Sequence, residues 1–298
     1  MPLPLVSIVM RSKNDMLYIG KTFENIFNQN FTDFEILNFD SGSEDGTWEI
    51  IRKYNPGNSW RDEDNDYIPG KILNYAVSKS RGKIIVFNNS DCIPQDKFWL
   101  ERLIQPLCRE SAVTENISGV FCNQAARRDA FPLVRKDYGR AFGDGRMAEQ
   151  WTNFFSLASS AILRELLIEH PFREDLQYSE DVDWAWRMRK LGLKTVYVTD
   201  AIVEHSHNYT RREMKTRFYN EGWAEGQIYG SGTSFLRSFL LPCAVEIGRD
   251  MAYLLKNGQG TSIPAGWVYR VTQRYSCWKG RRDFIASRTR EADDDEKE

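Results

Sequence analysis

The chain has no pair of cysteines at Cys-x-x-Cys spacing; its five, Cys92, Cys108, Cys122, Cys243 and Cys277, are odd in number and scattered. That argues against a disulfide framework and against a zinc cluster, and points to a reducing, cytoplasmic compartment. Net charge is only −2 with 28% charged residues, so no global basic field favours nucleic acid. The opening Met1-Pro2-Leu3-Pro4-Leu5-Val6-Ser7 has no basic segment followed by an apolar stretch and does not read as a signal peptide. No apolar run approaches the roughly 20 residues of a spanning helix, which predicts a soluble protein or one peripheral to the inner face of a membrane. No internal repeat is present. What is plentiful is aromatic: nine Trp suggest stacking surfaces, an interface, or both.

Strand and helix patterns alternate through the first half. Val6–Met10 and Phe34–Phe39 read as strands, and Tyr18–Asn28 and Thr47–Tyr54 as amphipathic helices. Residues 55–70, rich in Pro, Gly, Asn and Asp, read as a loop, and Ile72–Ser80 as a helix stopped by Gly82. The run Lys83–Phe87 then reads as a buried strand. This alternation predicts a mostly parallel α/β sheet. Beyond Pro94 a helix over Phe98–Cys108 and a strand over Gly119–Asn123 are expected. A long polar, Arg-rich connection follows over 124–149. A helix over Asp181–Leu191 and a strand over Lys194–Val198 come next, with Ala201–His205 leading into a loop. From about Thr210 the pattern turns helical, and residues 291–298, almost wholly acidic, read as a disordered tail.

The strand over 83–87 leads into Asn88-Asn89-Ser90-Asp91-Cys92-Ile93-Pro94. Parallel sheets gather ligands at the carboxyl ends of their strands, where Asp91 is placed to hold a metal or a sugar-nucleotide. Phe39-Asp40-Ser41-Gly42-Ser43 ends the second strand in a polar turn. Asp40 there reads either as a contact to a base or ribose, with Ser41 beside it in the nucleotide-sugar site, or, together with Ser43, as a group satisfying turn and cap donors. Arg11 and Lys71 are candidates for phosphate or base. Glu180-Asp181 opens a helix, where a carboxylate suits capping as readily as catalysis. Trp184 on that helix reads as acceptor lining or as core, and His170 as structural.

The order of Val6-to-Asp15, Asp40-Ser41-Gly42-Ser43-x-Asp45-Gly46-Thr47, Asn74 to Gly82, the strand to Asp91, Glu180-Asp181 and His205 resembles family-2 glycosyltransferases of the GT-A fold. Roughly residues 5–210 carry the resemblance. The segments Phe154–Ala161 and His205-Ser206-His207-Asn208-Tyr209-Thr210 are similar to the bacterial rhamnosyltransferase branch.

The resemblance implies an inverting transferase drawing on a dTDP- or UDP-sugar, with rhamnose the first expectation, and a glycan or lipid-linked glycan as acceptor. It implies Asp181 as the base with Glu180 beside it in acceptor binding. It adds Asn74 to the donor site and Ser159 and Trp184 to the acceptor site. The family's Asp-x-Asp triplet corresponds to Asn89-Ser90-Asp91, so one acid is replaced. Asp91 then becomes the protein ligand for Mn2+ or Mg2+, Asn89 a ribose contact, and His205 the second ligand, with His207 the competing choice.

The expected organisation is a GT-A catalytic domain over 1–210, a helical basic and aromatic extension over 211–290, and the tail. The extension is compatible with peripheral membrane contact, a homodimer contact, or packing on the catalytic domain. Two other functions stay in view. A non-catalytic sugar-nucleotide-binding or assembly protein is suggested by Asn89. A sugar-phosphate nucleotidyltransferase would need a glycine-rich loop after the first strand, and Arg11-Ser12-Lys13-Asn14-Asp15 has no glycine.

Overall fold

A computed structural model of the chain describes residues 3–62, 67–109, 114–151, 154–230 and 233–295. They divide into two compact units, one of Met1–Arg128, Asp137–Asp175 and Glu180–Ser206, the other of Asp129–Lys136, Leu176–Ser179 and His207–Glu298.

The first unit is built on an eight-stranded sheet in the order β3-β2-β1-β4-β7-β6-β8-β5. The strands are β1 (Val6–Ser12), β2 (Phe34–Asp40), β3 (Ser59–Arg61), β4 (Ile84–Asn88), β5 (Ile93–Pro94), β6 (Ile117–Ala125), β7 (Ser159–Leu163) and β8 (Lys194–Glu204). β1 pairs parallel with β2 and β4, as do β2 with β3 and β6 with β8. β7 runs antiparallel to both β4 and β6, and β5 is antiparallel to β8. The expected α/β architecture with a mostly parallel sheet is therefore present, β7 and β5 being its antiparallel strands.

Both faces of the sheet are covered, which explains why its strands are nearly continuous in apolar residues. Along β4, Ile84 and Val86 join one core and Ile85 and Phe87 the other, as the two-residue period of a strand requires. The first core packs against α1 (Met16–Phe27) and α4 (Trp99–Cys108); α2 (Thr47–Tyr54) and α3 (Pro69–Lys79) complete the early crossovers. Gly70 lets α3 come close to the following chain: a Cβ there would lie 1.9 Å from the Arg173 carbonyl oxygen.

Three readings of residues 1–210 need correction. The loop over 55–70 contains β3 and the start of α3. The connection over 124–149 contains α5 (Pro132–Ala141) and α6 (Arg146–Gln150); its buried Leu133 and Val134 are an apolar signal diluted by arginines. The two segments Lys194–Val198 and Ala201–His205 are one strand, β8, whose register shifts between Cys122 and Asn123 of its partner. Polar Thr199 and Asp200 sit at this irregularity and made one strand look like two. Two further helices, α7 (Arg164–Glu169) and α8 (Glu180–Lys190), lie between β7 and β8 in sequence.

In the second unit, α9 (Arg211–Tyr229) begins in a capping box: the Thr210 backbone N–H donates to the Glu213 carboxylate at 2.7 Å. A π-helical turn over Phe235–Leu240 leads into α10 (Leu241–Lys256), and α11 runs over Ile263–Asp295. The helix therefore continues through 291–295, where a disordered tail was expected; residues 296–298 of that expectation lie outside the described residues.

Candidate active site

The turn after β4 is braced from all sides. The Asn89 backbone N–H donates to Ala158 O at 2.9 Å, Ser90 N–H to Arg11 O at 3.0 Å, and the Asn88 side-chain amide to Cys92 O at 2.9 Å. Ser90 Oγ donates to the Asp15 carboxylate at 2.5 Å. Burial, and next the nearby charge of Asp91 working against that Ser90 bond, hold the Asp15 carboxyl above its usual range. These bonds fix where the Asp91 side chain projects.

Asp91 and His205 are both buried, and His205 Nε2 lies 3.5 Å from Asp91 Oδ2. The opposite ring nitrogen, Nδ1, is 2.8 Å from Gln124 Oε1 and 3.4 Å from the Tyr138 hydroxyl. Gln124 donates its amide N–H to Ser156 Oγ at 2.9 Å, which turns its oxygen toward the imidazole. Nδ1 then carries the proton, and in the neutral ring the Nε2 lone pair faces the carboxylate. An imidazole nitrogen and a carboxylate oxygen aimed at one point, with the imidazole oriented from behind, is the donor arrangement of a divalent-cation site.

Arg127 adds a fixed positive charge. Its Nη2 donates to Asp91 O at 2.6 Å and lies 3.3 Å from Asp91 Oδ2; Nη1 donates to Ser206 O. The guanidinium stacks 3.8 Å from the centre of the Tyr18 ring. Arg127, Gln124, Tyr138 and Asp15 were not singled out from the sequence. For Gln124 it is strand pairing that makes the relation to His205 visible, since β6 delivers it beside Val203 of β8.

The second cluster forms where β1 ends and α8 begins. Glu180 is ion-paired to Arg11 at 2.9 Å, and Arg11 also reaches Tyr67 at 3.4 Å and lies 3.5 Å from Asn89 Oδ1. Asp181 Oδ2 accepts from Leu157 N–H at 3.2 Å and Oδ1 from Val182 N–H at 2.9 Å. Burial first, and then the neighbouring Glu180 charge, push the Asp181 carboxyl up to about 7. The structure thus joins Arg11, Asn89, Glu180 and Asp181 in one polar network, and Asp91 with His205 in another.

Other expected site residues are placed differently. Trp184 and Ser159 are fully enclosed (0% exposed), so neither lines an acceptor surface. Trp184 packs against Phe155 and Phe172 and donates its indole N–H to His170 O at 2.9 Å; Ser159 sits in β7 opposite Asn88. Asn74 is engaged in holding α3 to the next loop: it donates to Phe172 O at 2.9 Å and accepts from Phe172 N–H at 3.0 Å. Lys71 is exposed on α3. Asp40 accepts from Ser12 Oγ at 2.7 Å, Ser43 N–H at 2.8 Å and Ser43 Oγ at 2.6 Å, which is the turn-satisfying reading. Ser41 donates its backbone N–H to Ser12 O and accepts from Lys13 at its carbonyl. His170 supplies its carbonyl to Trp184, in keeping with a structural role, and His207 belongs to the second unit, where it stacks on Tyr209.

The profile of "Glycosyl transferase family 2" matches residues 7–170, more than half of the chain. The O-antigen chain rhamnosyltransferase RfbN of Salmonella typhimurium is 26% identical over 245 residues, covering 75% of this chain and 73% of that protein. WbaN of Salmonella anatum, named likewise, is 26% identical over 241 residues, covering 75% and 72%. Among solved structures, the mannosyltransferase PcManGT from Pyrobaculum calidifontis in complex with GDP-Man and Mn2+ is similar with a TM-score of 0.65 at 17% identity, over 96% of this chain and 88% of that one. Glucosyl-3-phosphoglycerate synthase from Mycobacterium tuberculosis, in complex with Mn2+, UDP and phosphoglyceric acid, has a TM-score of 0.52 at 21% identity, covering 71% and 73%. At such identities the structural likeness establishes the fold. The family match establishes more: this chain belongs to glycosyl transferase family 2 and is a glycosyltransferase.

Proposed function

We propose that this enzyme transfers a sugar, rhamnose in the first instance, with inversion, from a dTDP- or UDP-sugar to a hydroxyl of a glycan in cell-surface polysaccharide or glycoprotein synthesis. One observation carries the reading. Asp181 sits at the start of α8 with its carboxyl raised to about 7 and its oxygens directed by two backbone N–H groups. A carboxylate titrating there can take the proton of an attacking hydroxyl near neutral pH. The 26% identity to two proteins named as rhamnosyltransferases supports rhamnose.

In this mechanism Asp181 accepts the acceptor proton while Arg11 and Glu180 hold each other and the polar wall beside it. Asp91 and His205 fit a divalent cation, Mn2+ or Mg2+: two buried donors 3.5 Å apart, the imidazole already oriented by Gln124. Similar folds named with Mn2+ support this assignment. When bound, such a cation neutralises the charge of the departing nucleoside diphosphate. Arg127 holds the Asp91 backbone in place and adds a fixed cation to the same locality.

The test is transfer from dTDP-rhamnose to a glycan acceptor by wild type and Asp181→Asn. The variant is expected to lose about 10²–10⁴-fold in kcat. Donor-induced thermal stabilisation should persist. Transfer by Asp181→Asn at the wild-type rate, or a product of retained anomeric configuration, sinks the reading.

A further inference from the structure

The helical unit leaves large apolar side chains about half exposed on its outer faces. On α10, Leu241, Val245, Ala252 and Leu255 recur at helical spacing along one exposed face. On α11, Val268, Val271 and Tyr275 do the same, with Trp267 beside them. The larger of these side chains are between 42% and 61% exposed. The opposite face of α10 is already committed. Asp250 receives two hydrogen bonds from Arg270 of α11, at 2.7 and 2.9 Å, and Leu254 packs where Gly266 leaves room.

Charge follows the same division. Between 233 and 275 there are five basic residues and two acidic ones. Both acids, Glu246 and Asp250, are buried, and Lys136 pairs with Asp250 at 2.6 Å. Arg237, Arg249 and Lys256 are exposed, Arg249 while still touching Glu246 at 2.8 Å. The outer surface of this stretch is therefore apolar and cationic, with no exposed carboxylate among its described residues. Against a second copy of the same face, the cations would meet cations with no counter-charge. An anionic lipid surface supplies that charge, an apolar layer for the aliphatic side chains, and the interfacial depth that Trp and Tyr favour. No helix among the described residues is long and apolar enough to cross a membrane, so the helices would lie along the surface.

We propose that the exposed faces of α10 and α11 dock onto an anionic phospholipid bilayer. The proposal is independent of donor, metal and base. It is tested by co-sedimenting the full chain with vesicles of phosphatidylglycerol and phosphatidylcholine, against phosphatidylcholine alone. Binding is expected to the anionic vesicles and to weaken with salt. Arg237→Gln/Lys256→Gln is expected to lower the partition coefficient on the order of 25-fold, at about fivefold per cation. Val245→Glu/Leu255→Glu should abolish binding with the melting temperature and the mass in solution unchanged. Equal sedimentation with neutral vesicles, binding that the charge variant leaves intact, or no vesicle binding together with a dimer that Val245→Glu/Leu255→Glu dissolves, overturns the proposal.

Discussion

Gln124 holds His205 in one tautomer: its amide oxygen is 2.8 Å from Nδ1, and its amide N–H is anchored on Ser156 at 2.9 Å. Nε2 is thereby turned toward Asp91 Oδ2 at 3.5 Å, the pair proposed above to hold a divalent cation. Gln124→Leu removes the acceptor, and a loss of about 10–100-fold in Mn2+ affinity is expected, measured by calorimetric titration of the purified protein. Gln124→Glu keeps an acceptor at Nδ1 and should retain most of the affinity. Wild-type affinity in the Leu variant would show that the imidazole is positioned by something else.

Asp181 makes a second, pH-resolved prediction. Its carboxyl titrates near 7 in the folded protein against an ordinary 3.8. Between those values the folded state keeps a proton that the unfolded chain has released, so this residue's contribution to stability falls as pH rises from about 4 to 7 and is level above. Asp181→Asn removes the penalty. Relative to wild type the variant should be more stable at pH 8, by about 1–3 kcal/mol, and the gain should vanish at pH 4. Urea unfolding at the two pH values decides it. An equal difference at both would mean that the carboxyl is not held protonated by its surroundings.

Asp91 and the Glu180-Asp181 pair were legible in the sequence because each sits at an element end that periodicity marks: a buried strand of Ile84–Phe87 and the amphipathic α8. Arg127 and Gln124 were not. They open a stretch whose arginines mask its helices, and their partners Ser206 and His205 lie 79 and 81 positions away. Spacing along a chain does not reveal pairing at that range. The antiparallel insertion of β7 was hidden for the same reason, since residue alternation reports burial of a strand and not its direction. Asp40 shows the converse: a motif can be recognised correctly while the side chain's first duty, here to Ser12 and Ser43, is to hold the turn.

Trp184 separates a core role from an acceptor role. The indole is completely buried and its N–H satisfies the His170 carbonyl at 2.9 Å. Trp184→Phe leaves that carbonyl unpaired and a small void, and is expected to cost about 1–3 kcal/mol by chemical denaturation. KM for the acceptor should stay within about twofold at a temperature where the variant is folded. A large rise in KM without loss of stability would restore Trp184 to the acceptor site.

Two glycines of the helical unit should respond to the same substitution with opposite sign. A Cβ on Gly222 of α9 would lie 1.9 Å from the Cys277 carbonyl oxygen of α11, a contact backbone cannot yield without moving the helices apart. Gly222→Ala is therefore expected to destabilise by about 1–3 kcal/mol or more. Gly248 is exposed within α10 and a Cβ there would meet nothing within 4 Å. Gly248→Ala keeps the helix and reduces the freedom of the unfolded chain, so a gain of about 0.5–1 kcal/mol is expected. Thermal unfolding of both variants beside wild type checks the pair. If Gly222→Ala melts with or above Gly248→Ala, then α9 and α11 do not cross in backbone contact at this point.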